Sequence, residues 1–503
     1  MTATTPSRPT NTNANTPAPY TGFERLFIGG RWVTGRSEHK LTVINPYNQQ
    51  PILEIPAADQ RDLDDAYQQA QQAQIAWAEV LPSERSQIMR RAVEIMDTRR
   101  EEIISWSVRE AGSPRKKAFL EWKAARDVME QSVSAPYGAE GRILPSDIPG
   151  KESRVYRCPV GVVAVVSPWD FALNLANRSV APALALGNAV VLKPPSNTPI
   201  SGGLIFAKIF EEAGLPPGVL SVVAGPAREI GDEFVSHPIP RVVTFTGSTK
   251  AGRHIGDLAM NSPIMKRASL ELGGNSPLVV LDDADLELAV NAAVFGKFLN
   301  SGQICMSINR LIVDQHLHDE FVNRFVDRVR NLKVGDPNDP DTDIGPIIDQ
   351  AQLDSHLKHI QQAHQEGAKQ LLGGQPDGLM LPPHVFVDVN NQMSVAREEL
   401  FGPIAPIIKV SDEAEALKVA NDTEYGLSSA VFTRDEGRGQ RFALKMQAGM
   451  THINDQTVND LPNAPFGGEK NSGIGRFGGN WAIAEFTTDH WVTVQHSPRS
   501  YVL

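Results

Sequence analysis

The sequence runs to 503 residues, with 48 Lys and Arg against 59 Asp and Glu, and its net charge is −11. That balance repels polyanions and no basic block offsets it, so nucleic acid is excluded as a partner and a small molecule held in a cleft is expected. With 41% hydrophobic and 21% charged residues the chain has ordinary globular composition, enough for roughly two to four domains with sizeable cores.

Residues 1–20 are Thr, Pro, Asn and Ala without an apolar core, which predicts a disordered tail and not a secretory signal. No run of about eighteen apolar residues follows, so no membrane span is expected. The two cysteines, Cys158 and Cys305, cannot build a disulfide framework or a cysteine-based zinc site, and the reducing cytoplasm is the expected location. Residues 61–77 and 82–106 carry Glu and Arg at helical spacing and predict surface helices that pack and do no chemistry. From Arg157 onward, short β-branched runs alternate with longer amphipathic stretches, the pattern of βαβ units around a parallel sheet. Strands are predicted at 162–166, 189–192, 220–223, 242–245, 278–281, 311–313, 404–410, 430–433 and 451–453. Helices are predicted at 201–212, 250–259, 285–299 and 319–332, each followed by Gly, Asn or Pro punctuation.

A few constellations within this alternation carry chemistry. Residues 245–252 (FTGSTKAG) run from a strand into a helix, so Gly247 and Ser248 can offer N–H groups and the positive end of a helix dipole to a pyrophosphate; an ordinary N-cap uses the same residues. Glu271 ends another apolar segment and precedes Gly273 and Gly274, which permit close approach; it is either a base or an acid before a turn. Cys305, in GQIC, is either a nucleophile or a small buried hydrophobe. Gly473, Gly475 and Gly478 satisfy G-x-G-x-x-G, but no strand precedes them and too little chain follows for a βαβ unit, so a glycine-rich turn is expected. His356 and His359 lack the partner carboxylate of a metalloprotease helix; they predict a solvated helix, and no metal is expected.

Together these motifs resemble the aldehyde dehydrogenase superfamily from about Leu26 to Val492. In family order they are SPWDF at 167–171, VVLKP at 190–194, FTGST at 245–249, LELGG at 270–274, GQIC at 302–305, EELFGP at 398–403 and PFGG at 465–468. The resemblance implies an α/β fold with three parts. A Rossmann-type NAD(P)-binding domain would use 21–140 and 160–274, and an α/β catalytic domain 275–470. A small β bridging domain for oligomerisation would use 141–159 and 487–503, its exposed strand edges favouring a homodimer or homotetramer.

The implied chemistry is oxidation of an aldehyde to the acid. Thiolate Cys305 attacks the carbonyl to give a thiohemiacetal, hydride loss to nicotinamide gives a thioester, and Glu271 activates the hydrolytic water. By position, Lys193 would bond the adenosine ribose, Ser248 the pyrophosphate and Glu399 the nicotinamide ribose, with Trp169, Gly247, Leu272 and Phe401 alongside. As bland alternatives, Lys193 is a solvated strand end and Glu399 a turn acid. Three positions depart from the family pattern, one of them Ala172 where the family has Pro. Asp170 stands where the family has the oxyanion-binding Asn, so it is either protonated and donating, differently employed, or a sign of impaired catalysis. Ser196 stands where NAD-preferring members have Glu, which leaves room for a 2′-phosphate, so NADP is expected to be accepted with or without NAD. The segment 452–460 (HINDQTVND) resembles the benzaldehyde and vanillin dehydrogenase branch and implies an aromatic aldehyde. Phe171, Asn174, Arg178, Ile304, Met306, Val458 and Phe466 would form its channel, although Val458 and Phe466 could equally pack beneath the loop. The rival readings are a CoA-acylating enzyme, an aliphatic or semialdehyde dehydrogenase, and a catalytically impaired dinucleotide-binding relative.

Overall fold

The computed structural model describes residues 17–502. The tail expected at 1–20 therefore falls largely outside the described residues, and its last residues are docked. The Arg99 guanidinium stacks over the Tyr20 ring at 3.6 Å and donates to the carbonyl of Ala18. The same anchoring corrects the helix expected over 82–106, which is two helices, Pro82–Thr98 and Arg100–Ala111, broken where Arg99 leaves helical geometry. Pro82–Thr98 is also no mere surface element, because Ile88, Met89, Ala92, Val93 and Met96 are buried.

Two large sheets organise the chain. The first holds eight strands in the order Gly473–Ile474, Arg267–Glu271, Val242–Thr246, Val162–Val166, Ala189–Lys193, Leu220–Val222, Leu26–Ile28 and Arg31–Val33. Its five central strands are parallel, and their Val, Leu and Ala runs are buried on both faces, as a sheet covered by helices on both sides requires. Strand order reverses at Val162–Val166: the chain moves through Ala189–Lys193 to Leu220–Val222, then returns to the other side at Val242–Thr246. In such sheets the crevice at the carboxyl ends beside the reversal is where ligands bind. The second sheet has seven strands, Lys369–Leu372, His384–Val387, Ile404–Val410, Ile308–Asp314, Ser276–Val280, Ser428–Phe432 and Met450–Ile453, all parallel except at the first pair.

All nine predicted strands are present, most within two residues of the expected bounds. The helix expected at 201–212 begins as a π-turn, Ile200–Leu204, before the α-helix Ile205–Ala213. Gly202 and Gly203 pack there against Pro195 and Pro194 with no room for a side chain. The glycine-rich segment after residue 472 is the expected turn, but it opens with an edge strand the sequence did not suggest, Gly473–Ile474, in which Gly473 pairs with Glu271. A separate antiparallel sheet joins Thr487–Gln495, Lys151–Pro159 and Arg142–Leu144 and leaves Ile143, Tyr156 and Trp491 exposed.

Candidate active site

Three chain segments converge at the carboxyl ends of the first sheet. The loop after Val162–Val166 carries Trp169 and Asp170; the strand Arg267–Glu271 ends on Glu271; and the turn after helix Leu286–Phe298 delivers Cys305. That turn takes three successive left-handed residues, Asn300, Ser301 and Gly302. A Cβ on Gly302 would stand 2.3 Å from the carbonyl oxygen of Gly402, so the approach tolerates only glycine. Gly273 and Gly274 serve the same end, since added Cβ atoms there would meet the Glu399 carboxylate at 2.3 Å and the Cys305 carbonyl oxygen at 2.4 Å.

Cys305 is 8% exposed. Burial pushes its thiol well up, and the charges of Glu271 and Asp170 push the same way, with Arg178 opposing. Glu271 is fully buried. One carboxylate oxygen accepts from the Arg178 guanidinium at 2.9 Å and the other has no partner, the signature of a group poised to take a proton or a water. Arg178 lies between the rings of Phe466 and Phe477, with its guanidinium carbon 4.3 and 4.4 Å from their centroids. Asp170, 3% exposed, is pushed up to about 7, chiefly by burial and then by Glu271, against the pull of Lys117. Near neutral pH it is divided between a carboxylate and a neutral acid able to donate.

The loop holding Asp170 is clamped by a buried pair that sequence reasoning missed. On helix Arg115–Gly138, Lys117 Nζ donates to Glu121 at 2.6 Å, to Ser113 Oγ at 3.0 Å and to the Asp170 carbonyl at 2.5 Å. The other oxygen of Glu121 accepts the Leu173 N–H at 2.8 Å. The available signal was an i,i+4 Lys and Glu pair lying along the apolar stripe of Ala118, Trp122 and Ala125.

Cys305 and Asp170 stand where two cavities meet. One, of about 760 Å³, is lined by Trp169, Asp170, Gly247, Ser248, Glu271, Leu272, Glu399 and Phe401 together with Cys305. Gln352 and Ser355, which no motif flagged, complete it. Ser248 caps helix Thr249–Asn261, accepting the Ala251 N–H, so the ordinary N-cap reading holds. Glu399, pushed up to about 7 by burial, accepts from Gly274 N–H at 2.9 Å. Trp169 and Phe401 meet edge to face with centroids 5.3 Å apart. Lys193 and Ser196 lie outside this cavity at the end of strand Ala189–Lys193; Lys193 is buried, which lowers its amine to about 8, whereas Ser196 is exposed. Buried Glu110, pushed up to about 7 by desolvation, accepts the N–H groups of Ile200 and Ser201 and anchors the turn beyond them.

The second cavity, of about 1040 Å³, shares Cys305 and Asp170 with the first and is walled by Phe171, Asn174, Ile304, Met306 and Val458, with Phe295 and Leu299. Two expected wall residues are elsewhere. Arg178 is consumed by Glu271, and Phe466, 2% exposed, packs beneath it, so neither lines this cavity. The solvated helix expected at His356 and His359 is also corrected. Helix Gln350–Gln365 forms, but both histidines belong to its inward face with Leu353 and Ala363, and burial drives His356 down to about 3. No cluster of three metal-ligating side chains occurs among the described residues, and no described helix is long and apolar enough to cross a membrane.

A family profile described as "Aldehyde dehydrogenase family" matches residues 32–492. The chain is 52% identical to a vanillin dehydrogenase of Corynebacterium glutamicum over 482 residues, which is 95% of this chain and 100% of the relative. It is 48% identical to a benzaldehyde dehydrogenase of Bacillus subtilis, covering 96% and 99% of the two chains. Among solved structures, an NAD-dependent benzaldehyde dehydrogenase from Corynebacterium glutamicum superposes with a TM-score of 0.88 at 49% identity, covering 94% and 97%.

Proposed function

This chain belongs to the aldehyde dehydrogenase family, and from that premise we propose that it oxidises aromatic aldehydes to carboxylic acids with NAD or NADP. The observation that carries the reading is a thiol at the junction of two cavities, one walled by aromatic and aliphatic side chains and the other edged by a helix N-terminus. The residues present fit a dinucleotide. Helix Thr249–Asn261 starts at the carboxyl end of a parallel strand beside the point where strand order reverses, and Glu399 offers a ribose acceptor at the cavity wall. When bound, the nicotinamide supplies the hydride acceptor.

The protein supplies the rest. Cys305 gives its proton to solvent and, as thiolate, adds to the aldehyde carbon, and the new oxyanion faces the Cys305 N–H and Asp170. After hydride departure leaves a thioester on Cys305, Glu271 takes a proton from water, and hydroxide releases the acid. The unpartnered oxygen of Glu271 suits that task and argues against acyl transfer to CoA, which needs no hydrolytic base. The first sheet would serve the cofactor and the second the catalytic loop, while the three-stranded sheet with exposed Ile143, Tyr156 and Trp491 would pair with a second copy in a dimer or tetramer. The unpaired cysteines favour the cytoplasm as its compartment.

The test is a panel of benzaldehyde, hexanal and succinic semialdehyde with each nicotinamide, followed by absorbance of the reduced cofactor and by product analysis. Benzaldehyde is expected to give the highest kcat/KM with benzoate as product, and exposed Ser196 to permit turnover with NADP. Preference for hexanal, or no turnover at all, would overturn the reading; failure with saturating NADP would overturn the NADP assignment alone.

Asp170 gives a separate expectation. A neutral acid there donates to the oxyanion, whereas a carboxylate repels it, and a lost oxyanion donor costs about 2.7–4 kcal/mol. As pH rises through about 7 the wild type loses the donor; Asp170→Asn keeps it at every pH. The variant is expected to match or exceed wild-type turnover near pH 6, with an advantage that widens toward pH 9. Stability follows the same sign. A carboxyl raised above its unfolded value binds its proton more tightly when folded, so stability falls as pH rises from about 4 to about 7. Wild type should therefore lose thermal midpoint relative to Asp170→Asn over that range. A hundredfold loss of turnover in the variant would show that the carboxylate itself is required.

A further inference from the structure

A buried polar network lies behind the cofactor-side wall, and none of its members lines the cavity. They are Asn275, which follows Gly274, and Asn309 and Arg310 on strand Ile308–Asp314, which opens three residues after Cys305. All three are buried. Asn309 grips the backbone on both sides of Glu399: its Nδ2 donates to the Glu398 carbonyl at 2.9 Å, and its Oδ1 accepts the Leu400 N–H at 3.0 Å. A carbonyl can only accept and an N–H only donate, so the amide has one orientation. The same Nδ2 reaches Asn275 Oδ1 at 3.0 Å, where Arg310 Nε also donates at 2.9 Å. Asn275 Nδ2 in turn donates to the carbonyls of Ala396 and Arg397 at 2.8 and 3.0 Å. Arg310 is anchored by the carbonyls of Val419 and Ala420 at the end of helix Glu413–Asn421. Just beyond Leu400, Phe401 holds φ +49°, a setting that a non-glycine residue keeps only where its surroundings impose it.

We propose that Asn309 is a positioning residue for the dinucleotide, bracing the backbone on both flanks of Glu399 so that the carboxylate stands ready for a ribose hydroxyl. The inference rests on Glu399 as the ribose acceptor and extends that reading to a residue outside the cavity. The Glu399 carboxylate has one protein partner, the Gly274 N–H at 2.9 Å, so its place depends on the main chain that carries it. Asn309 fixes that main chain at the two peptide groups adjoining residue 399. An acceptor already in place binds without the cost of ordering it, whereas a loose one gives up part of the bond it makes. Because Asn309 shares its segment with the turn that delivers Cys305, the brace also ties the ribose acceptor to the sulfur. Asn309 touches neither reactant; it acts through Glu399.

A double-variant cycle provides the test. Dissociation constants for the reduced nicotinamide dinucleotide are measured by fluorescence titration for wild type, Glu399→Leu, Asn309→Leu and the double variant, with KM for benzaldehyde at saturating dinucleotide alongside. Each single substitution is expected to weaken dinucleotide binding about tenfold, the scale of one hydrogen bond, and to leave KM for benzaldehyde unchanged. The double variant should bind no more weakly than the poorer of the two single ones, since a brace with nothing to hold adds nothing. An asparagine with a structural role only would lower the thermal midpoint without moving the dissociation constant, or would multiply the two losses; either result overturns the proposal and leaves the ribose reading standing. Should Asn309→Leu fail to fold, Asn309→Ser, whose hydroxyl can meet one of the two backbone groups, carries the same cycle with a smaller shift that must also vanish in the Glu399→Leu background. Full dinucleotide affinity in Glu399→Leu overturns the ribose reading itself, and the proposal with it.

Discussion

Replacing Cys305 by Ser is expected to lower turnover by at least about a thousandfold while the dinucleotide still binds. Thiolate is the attacking species, and a serine hydroxyl at the same place has neither a comparable acidity nor a base dedicated to it. In the resting structure the thiol is held neutral by burial and by the charges of Glu271 and Asp170, so turnover depends on proton removal and should rise with pH on the acid side. The substitution changes one atom on a turn whose geometry is fixed by Gly302 and Gly274, so the cofactor-side cavity keeps its shape. Absorbance of the reduced nicotinamide measures turnover, and fluorescence titration with reduced cofactor measures binding. Undiminished oxidation by the Ser variant would remove the covalent mechanism.

Lys117→Met should be the most destabilising single change near the site. It strands Glu121 as an unpaired charge in the interior, a defect that typically costs about 3–5 kcal/mol, and removes the shorter of the two donors to the Asp170 carbonyl, leaving Asn300 Nδ2 at 3.3 Å. The expected result is a lowered thermal midpoint together with reduced kcat. A double variant, Lys117→Met with Glu121→Leu, separates the two roles. Apolar replacement of both partners should recover much of the stability, since the desolvation penalty disappears with the charges. Turnover should stay low, because the Asp170 carbonyl keeps only the longer bond from Asn300 and the Leu173 N–H loses its acceptor. A single variant as stable and as fast as wild type would show that the clamp does neither job.

The parallel strands were legible because a strand covered on both faces must be apolar throughout, and Val162–Val166 and Val242–Thr246 carry that mark in consecutive residues. Cys305, Glu271 and Glu399 were legible because each sits in a short motif whose glycines betray close packing. What escaped was pairing across long separations. Arg178 lies 93 residues from Glu271 and Lys117 lies 53 from Asp170, and nothing local distinguishes a buried charge with a distant partner from one facing water. The histidines of helix Gln350–Gln365 misled for the converse reason. His356 and His359 are flanked by polar residues, and only the sheet beneath reveals that they share an inward stripe with Leu353 and Ala363. The helix break at Arg99 likewise depends on Ala18 and Tyr20, some eighty residues earlier in the chain.

Because the thiol stands where two cavities meet, a cofactor held in one and an aldehyde held in the other would each reach it along a wall of its own.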